Sequence, residues 1–154
     1  FSIEHCTDGY LIVDELVRNH VQCLLGPTVG GKGKIEARNK TFKAGQILEN
    51  AGITFGLITD APFVPIEGQL LQAALYVKNG LSREMALKCL TINNAIITDI
   101  DSRVGSLEPG KDADVVIWDV EPLATLSQVG IVIIDGQIAY RRKAGESNVD
   151  YQKL

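Results

Sequence analysis

Two residues of this chain have side chains suited to metal-assisted hydrolysis, and each follows an apolar segment. His5 is the last residue of the apolar segment 1–5. Asp60 is the last residue of the apolar segment 53–60, just before a proline-containing turn. A neutral imidazole and a carboxylate are both ligands of catalytic zinc. A carboxylate beside an activated water can also act as general base and then as general acid. The two residue types therefore predict a divalent-metal site, with zinc as the first candidate and Asp60 as the catalytic carboxylate.

The same two residues have simpler explanations, which stay open on the residues alone. A single histidine after a strand is usually a hydrogen-bonded structural residue, and an aspartate before a loop is often a helix N-cap. A catalytic zinc takes about three protein ligands, whereas only His5 and Asp60 are visible as candidates. Strands two apart in a sheet lie about 10 Å from each other, a gap that long side chains can close.

Composition limits the class of protein. The chain has 154 residues, 45% of them hydrophobic, a net charge of -4 and a pI of about 5.1. It can form one core or one core with a small appendage, and its acidity argues against nucleic acid or an anionic membrane as the main partner. Three widely spaced cysteines favour reduced thiols in a cytoplasmic protein. No apolar run approaches the roughly 18 residues of a membrane span, and no signal peptide is visible.

Strand and helix patterns alternate through residues 1–79. Apolar runs at 1–5, 21–25 and 53–60 predict strands, and periodic stretches at 8–19, 46–50 and 67–79 predict helices. Thr7 or Asp8 is the expected cap of the first helix. Such alternation implies parallel strands joined by right-handed crossovers. We therefore predict an α/β fold comprising the last three βα units of a TIM-type (β/α)8 barrel, within a domain at residues 1–103.

The pattern changes after residue 80. Ser82 is expected to cap a helix that runs to Leu90, and Asn93 or Asn94 to cap a shorter one. Apolar runs then predict strands, and Asp135-Gly136 is a strong signal for a two-residue hairpin. We assign residues 104–140 to part of a small β-sandwich domain and 141–154 to a polar tail.

Four motifs together resemble the carboxyl-terminal part of a metal-dependent amidohydrolase, in a branch related to imidazolonepropionase. They are Glu4-His5-Cys6-Thr7-Asp8-Gly9, Thr59-Asp60-Ala61-Pro62, Thr91-Ile92-Asn93-Asn94-Ala95 and residues 104–114 with Gly105, Leu107, Pro109, Gly110, Lys111, Ala113 and Asp114. The resemblance implies that His5 ends barrel strand six as a metal ligand. It also implies that Asp60 ends strand eight, touches the metal and transfers protons during hydrolysis of a C–N bond in a small-molecule amide, cyclic amide or amidine.

The family's ligands on strands one, four and five have no counterpart in these residues. We therefore expect the missing amino-terminal part of the same protein as a partner, and little activity from this chain alone. An open three-stranded sheet would also expose edges and an apolar face, which favours a homo-oligomer. The competing class is a catalytically inert half-barrel that serves as a structural module.

The loop after the second strand carries a rival motif. Residues 26–32 fit G-x-x-x-x-G-K, but Gly33 stands where a P-loop needs Ser or Thr to hold Mg²⁺. A P-loop nucleotide-binding domain is therefore a remote alternative, and a loop over the active face is preferred. Arg38 and Asn39, with Lys40 beside them, are candidates for binding a substrate carboxylate.

Overall fold

A parallel three-stranded sheet forms the first half of the molecule. The computed structural model describes residues 1–33 and 35–143. The strands are β1 (Ser2–Ile3), β2 (Gln22–Leu25) and β3 (Phe55–Leu57), in the spatial order β1-β2-β3. Cys23 pairs with Ile3 on one side and with Phe55 on the other, in parallel register. The predicted parallel alternation is therefore present, in shorter strands than the apolar runs indicated.

Helices follow each parallel strand. They are α1 (Val13–Arg18), α2 (Lys43–Asn50), α3 (Gly68–Lys78), α4 (Arg83–Leu90) and α5 (Ile92–Ile97). Gly52 and Gly80 follow α2 and α3 at φ of 71° and 107°, a left-handed conformation that favours glycine just past a helix end. Ser82 caps α4, because its Oγ accepts a hydrogen bond of 3.1 Å from the Met85 amide. The prediction that Thr7 or Asp8 caps the first helix is wrong. A 3₁₀ turn at Gly9–Ile12 precedes α1, and no side chain caps the amino end of either the turn or the helix.

The core lies between the helices and one face of the parallel sheet. Alternate strand residues point to it, as the two-residue period of a strand requires. The fully or almost fully buried side chains include Cys23, Leu25, Phe55 and Leu57 from the strands and Leu16, Leu48, Ala73, Tyr76 and Cys89 from the helices. Burial of each large apolar side chain contributes roughly 1.5–3 kcal/mol relative to exposure. Cys23 and Cys89 are therefore core residues, whereas Trp118 is only half-buried.

Asn93 and Asn94 lie inside the first turn of α5 and are not its N-cap, which is Thr91. The amide of Asn93 donates to the Phe55 carbonyl at 2.9 Å, and that of Asn94 donates to the Leu57 carbonyl at 3.2 Å. Both carbonyls face away from β2, so the asparagines bond the edge of β3 that has no strand neighbour in the described residues. The capping prediction is therefore wrong, because these amides satisfy strand acceptors that local sequence does not reveal.

Gly56 permits this close approach. A β-carbon at position 56 would lie 1.7 Å from Asn94 Oδ1, far inside van der Waals contact. The glycine in β3 is therefore needed for packing of α5 against the strand.

After α5 the chain forms an antiparallel sheet of β4 (Val115–Trp118), β5 (Val129–Ile134) and β6 (Gln137–Arg141). Asp135 and Gly136 join β5 to β6 with φ of 49° and 74°, which confirms the predicted hairpin. Residues 144–154, most of the predicted polar tail, lie outside the described residues. Among the described helices, none combines the length and apolar character that a membrane span requires.

Candidate active site

His5 and Asp60 lie just beyond the carboxyl ends of β1 and β3, on loops that face the same edge of the sheet. Both residues line a cleft of about 420 Å³ together with Glu4, Thr59 and Gln69. Both also line an adjoining cleft of about 700 Å³. The structure thus brings together the two residues that the sequence singled out, across the intervening strand β2. A volume of this order suits a small-molecule ligand.

The backbones of His5 and Asp60 have left-handed conformations, with φ of 52° and 53°. Among the described residues other than glycine, three more have positive φ, and each has a local reason. His20 and Asp99 follow the ends of α1 and α5, and Asp135 is in the hairpin. His5 and Asp60 instead follow strands and line the clefts. Unusual backbone conformations of this kind cluster at functional sites, where surrounding contacts maintain them.

Backbone hydrogen bonds hold both loops. The amide of Cys6 donates to the Leu24 carbonyl at 3.0 Å, which ties the residue after His5 to β2. The amide of Phe63 donates to the Asp60 carbonyl at 2.8 Å and closes a turn directly after the carboxylate. The side chains of His5 and Asp60 therefore project from fixed backbone into the clefts, where both remain solvent-exposed.

Gln72 joins two of the loops that form the site. Its side chain is completely buried; Nε2 donates to the Ile58 carbonyl at 2.9 Å, and Oε1 accepts from the Thr28 amide at 2.7 Å. Thr28 Oγ1 in turn forms a 2.5 Å hydrogen bond with Tyr76 Oη, and the Tyr76 side chain is also completely buried. Gln72 thus fixes the end of β2 relative to the strand that leads to Asp60. Sequence reasoning missed it, because a glutamine inside an otherwise apolar stripe was its only local signal.

We expect Gln72→Leu to lower the free energy of unfolding by about 2–4 kcal/mol. The leucine fills similar space but leaves the Thr28 amide and the Ile58 carbonyl buried without partners, at roughly 1–3 kcal/mol each. Urea denaturation followed by circular dichroism measures the change. Gln69→Leu is the matched control. Within residues 1–33 and 35–143, Gln69 donates only to the Leu57 carbonyl, which also accepts from Asn94, so a smaller loss is expected. Equal losses in the two variants would contradict the bridging role.

The loop between β2 and α2 covers part of the larger cleft. Lys40 lines that cleft and is 6% exposed. Arg38 and Asn39 are exposed and line neither cleft. Asn39 instead donates to the carboxylate of Asp8 at 3.2 Å. Of the three candidates Arg38, Asn39 and Lys40, only Lys40 lines a cleft with His5 and Asp60.

The P-loop alternative is wrong. A P-loop opens directly into a helix, and its lysine reaches the nucleotide phosphates. Here the first α-helix after Lys32 among the described residues is α2, which begins at Lys43. The ammonium of Lys32 donates to the Arg38 carbonyl at 3.0 Å, within its own loop.

The donor set fits a catalytic metal in type but contributes only part of a site. His5 and Asp60 offer one imidazole and one carboxylate to a common cleft. Within residues 1–33 and 35–143, no group of three or more His, Cys, Asp or Glu side chains is arranged to hold a metal. The thiol of Cys6 lies 3.3 Å from that of Cys23 in the core, and this hydrogen bond lowers the pKa of Cys6 while raising that of Cys23. The thiol of Cys6 thus lies in the core, against that of Cys23.

Comparison with known proteins identifies a family model that spans most of the chain and relatives that match parts of it. Residues 7–139 match the model of the amidohydrolase family. The amidohydrolase tasK of Hapsidospora irregularis is 34% identical over 103 residues, covering 67% of this chain and 10% of that protein. An imidazolonepropionase of Picrophilus torridus is 49% identical over 41 residues, covering 27% of this chain and 10% of that protein.

Solved structures share the fold. An amidohydrolase from Thermotoga maritima superposes with a TM-score of 0.88 at 37% identity, covering 92% of this chain and 37% of that one. A Xaa-Pro dipeptidase with bound methionine in its active site gives a TM-score of 0.67 at 26% identity, covering 92% of this chain and 40% of that one. The matched segments therefore span about a tenth of each of those curated relatives and about two-fifths of those solved chains.

Proposed function

Since this chain is a member of the amidohydrolase family, we propose that it forms the His5- and Asp60-bearing part of a metal-dependent hydrolase of C–N bonds. The substrate is a small molecule with an amide, cyclic amide or amidine group. One observation carries the proposal: His5 and Asp60, at the ends of two parallel strands, line the same clefts. In this proposal β1, β2 and β3 are strands six to eight of a (β/α)8 barrel, and β4–β6 belong to a β-sandwich.

Two residues of this chain would hold the metal. His5 would contribute an imidazole nitrogen and Asp60 a carboxylate oxygen, both suitable ligands for zinc. When bound, zinc supplies Lewis-acid polarisation of the amide and a water of lowered pKa. The remaining ligands come, in this proposal, from residues outside these 154, because the family's other ligand positions have no counterpart here. The free thiols of all three cysteines favour a reducing compartment such as the cytoplasm.

Asp60 has the second chemical role. Its carboxylate would accept a proton from the attacking water and then donate that proton to the departing nitrogen, which becomes a neutral amine or amide. This general-base and general-acid sequence requires a carboxylate within hydrogen-bond reach of the water and of the leaving group. The exposure of Asp60 to the clefts, on a loop closed by the hydrogen bond from the Phe63 amide, supports this role.

The 154-residue chain and the full-length protein should behave differently toward zinc. Two ligands hold zinc weakly, so the isolated chain should retain substoichiometric zinc after dialysis against a mild chelator and hydrolyse no amide. The full-length protein should retain zinc and hydrolyse members of an amide panel in a chelator-sensitive way. Metal analysis and amine-release assays measure both. Tight, stoichiometric zinc binding by the isolated chain would contradict the proposal that residues outside these 154 supply the remaining ligands. Absence of chelator-sensitive hydrolysis in the full-length protein would favour the structural-module alternative.

A further inference from the structure

Two of the three thiols in this chain are in contact with each other. Cys6 Sγ lies 3.3 Å from Cys23 Sγ, whereas the Cys89 thiol donates to the Phe55 carbonyl at 3.1 Å. The side chains of the contacting pair are 5% and 0% exposed, and all three cysteines are free. A covalent S–S bond is about 2.05 Å long, so the two sulfurs would have to approach by roughly 1.2 Å to form one.

The fold holds these two cysteines together although they are 17 positions apart in the sequence. Cys23 lies in β2, which pairs with β1 on one side and with β3 on the other. The Cys6 amide donates to the Leu24 carbonyl at 3.0 Å, and the Cys6 carbonyl accepts from the Gly9 amide at 3.2 Å. Backbone hydrogen bonds therefore keep the two thiols close to each other in the folded protein.

The position of the Cys6 thiol depends on the small residue at position 9. A β-carbon on Gly9 would lie 2.2 Å from Cys6 Sγ, far inside van der Waals contact. The same β-carbon would lie 3.4 Å from Leu16 Cδ1, so the space around the thiol is tight. Glycine at position 9 thus leaves the space that the Cys6 thiol occupies beside Cys23.

Only one residue of the pair reaches the candidate active site. Cys6 lines the larger cleft together with His5 and Asp60, whereas Cys23 and Cys89 line neither candidate-site cleft. Cys6 therefore lies at the boundary between the core and a cleft of about 700 Å³, which a molecule as small as hydrogen peroxide can enter. Oxidation of cysteines depends on such access, and redox-sensitive cysteines often lie beside a second, resolving thiol.

We propose that Cys6 and Cys23 form a reversible disulfide when a hydroperoxide enters the larger cleft, and that this modification slows hydrolysis by displacing His5. With hydrogen peroxide, the Cys6 sulfur attacks the O–O bond, which leaves a sulfenic acid on Cys6 and releases water. The Cys23 sulfur then attacks the sulfenic sulfur, forms the S–S bond and releases a second water. The two thiols lose two electrons and two protons, and the peroxide is reduced to water. Disulfides of cytoplasmic proteins are usually transient ones of this kind.

The displacement of His5 follows from its position next to Cys6. Strands on both sides hold Cys23, so closing the 3.3 Å gap should move Cys6 more than Cys23. A misplacement of about 1 Å can lower an enzymatic rate about 100-fold. We therefore expect kcat/KM to fall roughly 10- to 100-fold on oxidation. Formation of the disulfide does not depend on the proposed function, whereas its effect on hydrolysis rests on that function.

Peptide mapping of the full-length, zinc-loaded protein tests the modification. The reduced protein is treated with hydrogen peroxide, alkylated and digested with trypsin, which cleaves after Arg18 and Lys32, so Cys6 and Cys23 lie in separate peptides unless a disulfide joins them. Mass spectrometry should find the linked peptides in the wild type, and dithiothreitol should separate them. In Cys23→Ala, Cys6 should stop at the sulfenic acid, which dimedone traps. Cys89→Ala is the matched control and should form the same link as the wild type.

Hydrolysis is measured on the same samples before oxidation, after it and after dithiothreitol. The wild type and Cys89→Ala should lose kcat/KM roughly 10- to 100-fold and recover it on reduction. Cys6→Ala should keep the kcat/KM of its own untreated form, because its remaining thiol at Cys23 does not line the clefts.

The outcomes separate this inference from the proposed function. Free thiols at both Cys6 and Cys23 after peroxide treatment of the wild type would overturn the inference, and the pair would then only pack in the core. A disulfide that leaves kcat/KM unchanged would overturn the displacement of His5 and leave the proposed function intact. A disulfide in a full-length protein that hydrolyses no amide even when reduced and zinc-loaded would support the modification site and overturn the proposed hydrolase function.

Discussion

Replacement of Asp60 by asparagine is expected to lower kcat of the proposed full-length hydrolase by about 10²–10⁴-fold, with a smaller change in KM. Asparagine keeps the size of the side chain and one oxygen but has no negative charge and cannot accept the proton of the attacking water. The substitution should leave the fold intact, since asparagine also adopts the left-handed conformation found at position 60. Steady-state kinetics on the preferred amide, with the thermal unfolding midpoint of each protein, measure both effects.

Asp99→Asn is the matched control for Asp60→Asn. Asp99 also has positive φ, 58°, but it follows α5 and lines neither candidate-site cleft. The control should therefore keep the wild-type kcat. If Asp60→Asn keeps near-full activity while unfolding at a much lower temperature, Asp60 is a structural turn residue and its catalytic assignment fails.

Replacement of His5 by alanine should lower the zinc content of the full-length enzyme as well as its rate. Removal of one imidazole ligand typically weakens metal binding enough that excess zinc restores part of the activity. Metal analysis after dialysis, followed by assays over a range of added zinc, measures the loss and its recovery. A rate loss of the same size at every zinc concentration, with zinc content unchanged, would instead place His5 outside the metal's ligands.

His20→Ala is a suitable comparison because the chain has only two histidines and both have positive φ. His20 is exposed after α1, with φ of 51°, close to the 52° of His5. The backbone cost of placing alanine in a left-handed conformation should therefore be similar in the two variants. The difference between them isolates the contribution of the imidazole at position 5.

Features governed by local sequence were predictable. The parallel alternation of strands and helices, the glycines after α2 and α3, the Ser82 cap and the Asp135-Gly136 hairpin all depend on periodicity or on one residue's backbone preference. The residues at strand ends, His5 and Asp60, were likewise visible as candidates. Because the carboxyl ends of parallel strands lie at the same edge of a sheet, the predicted strand directions were enough to place His5 and Asp60 at one edge.

Features that depend on a distant partner were not predictable. Asn93 and Asn94 have the residue type of helix caps, yet they bond carbonyls of a strand that lies 37 or 38 residues away. Gln72 interrupts an apolar stripe because it must reach Thr28, 44 residues earlier. The loop after β2 offered several exposed polar residues, and only its tertiary anchoring places Lys40 in the cleft. A single sequence contains the identity of each partner but not the pairing.

The left-handed backbones of His5 and Asp60 also shape what a mutational library can reveal. Only glycine, asparagine, aspartate and histidine occupy this conformation at little cost, so selection for folded protein alone would enrich those four residues at both positions. Selection for hydrolysis would retain histidine at position 5 and aspartate at position 60. Glycine and asparagine would therefore be enriched by selection for folding but lost under selection for hydrolysis. Their frequencies in paired selections would separate what the backbone demands at each position from what the chemistry demands.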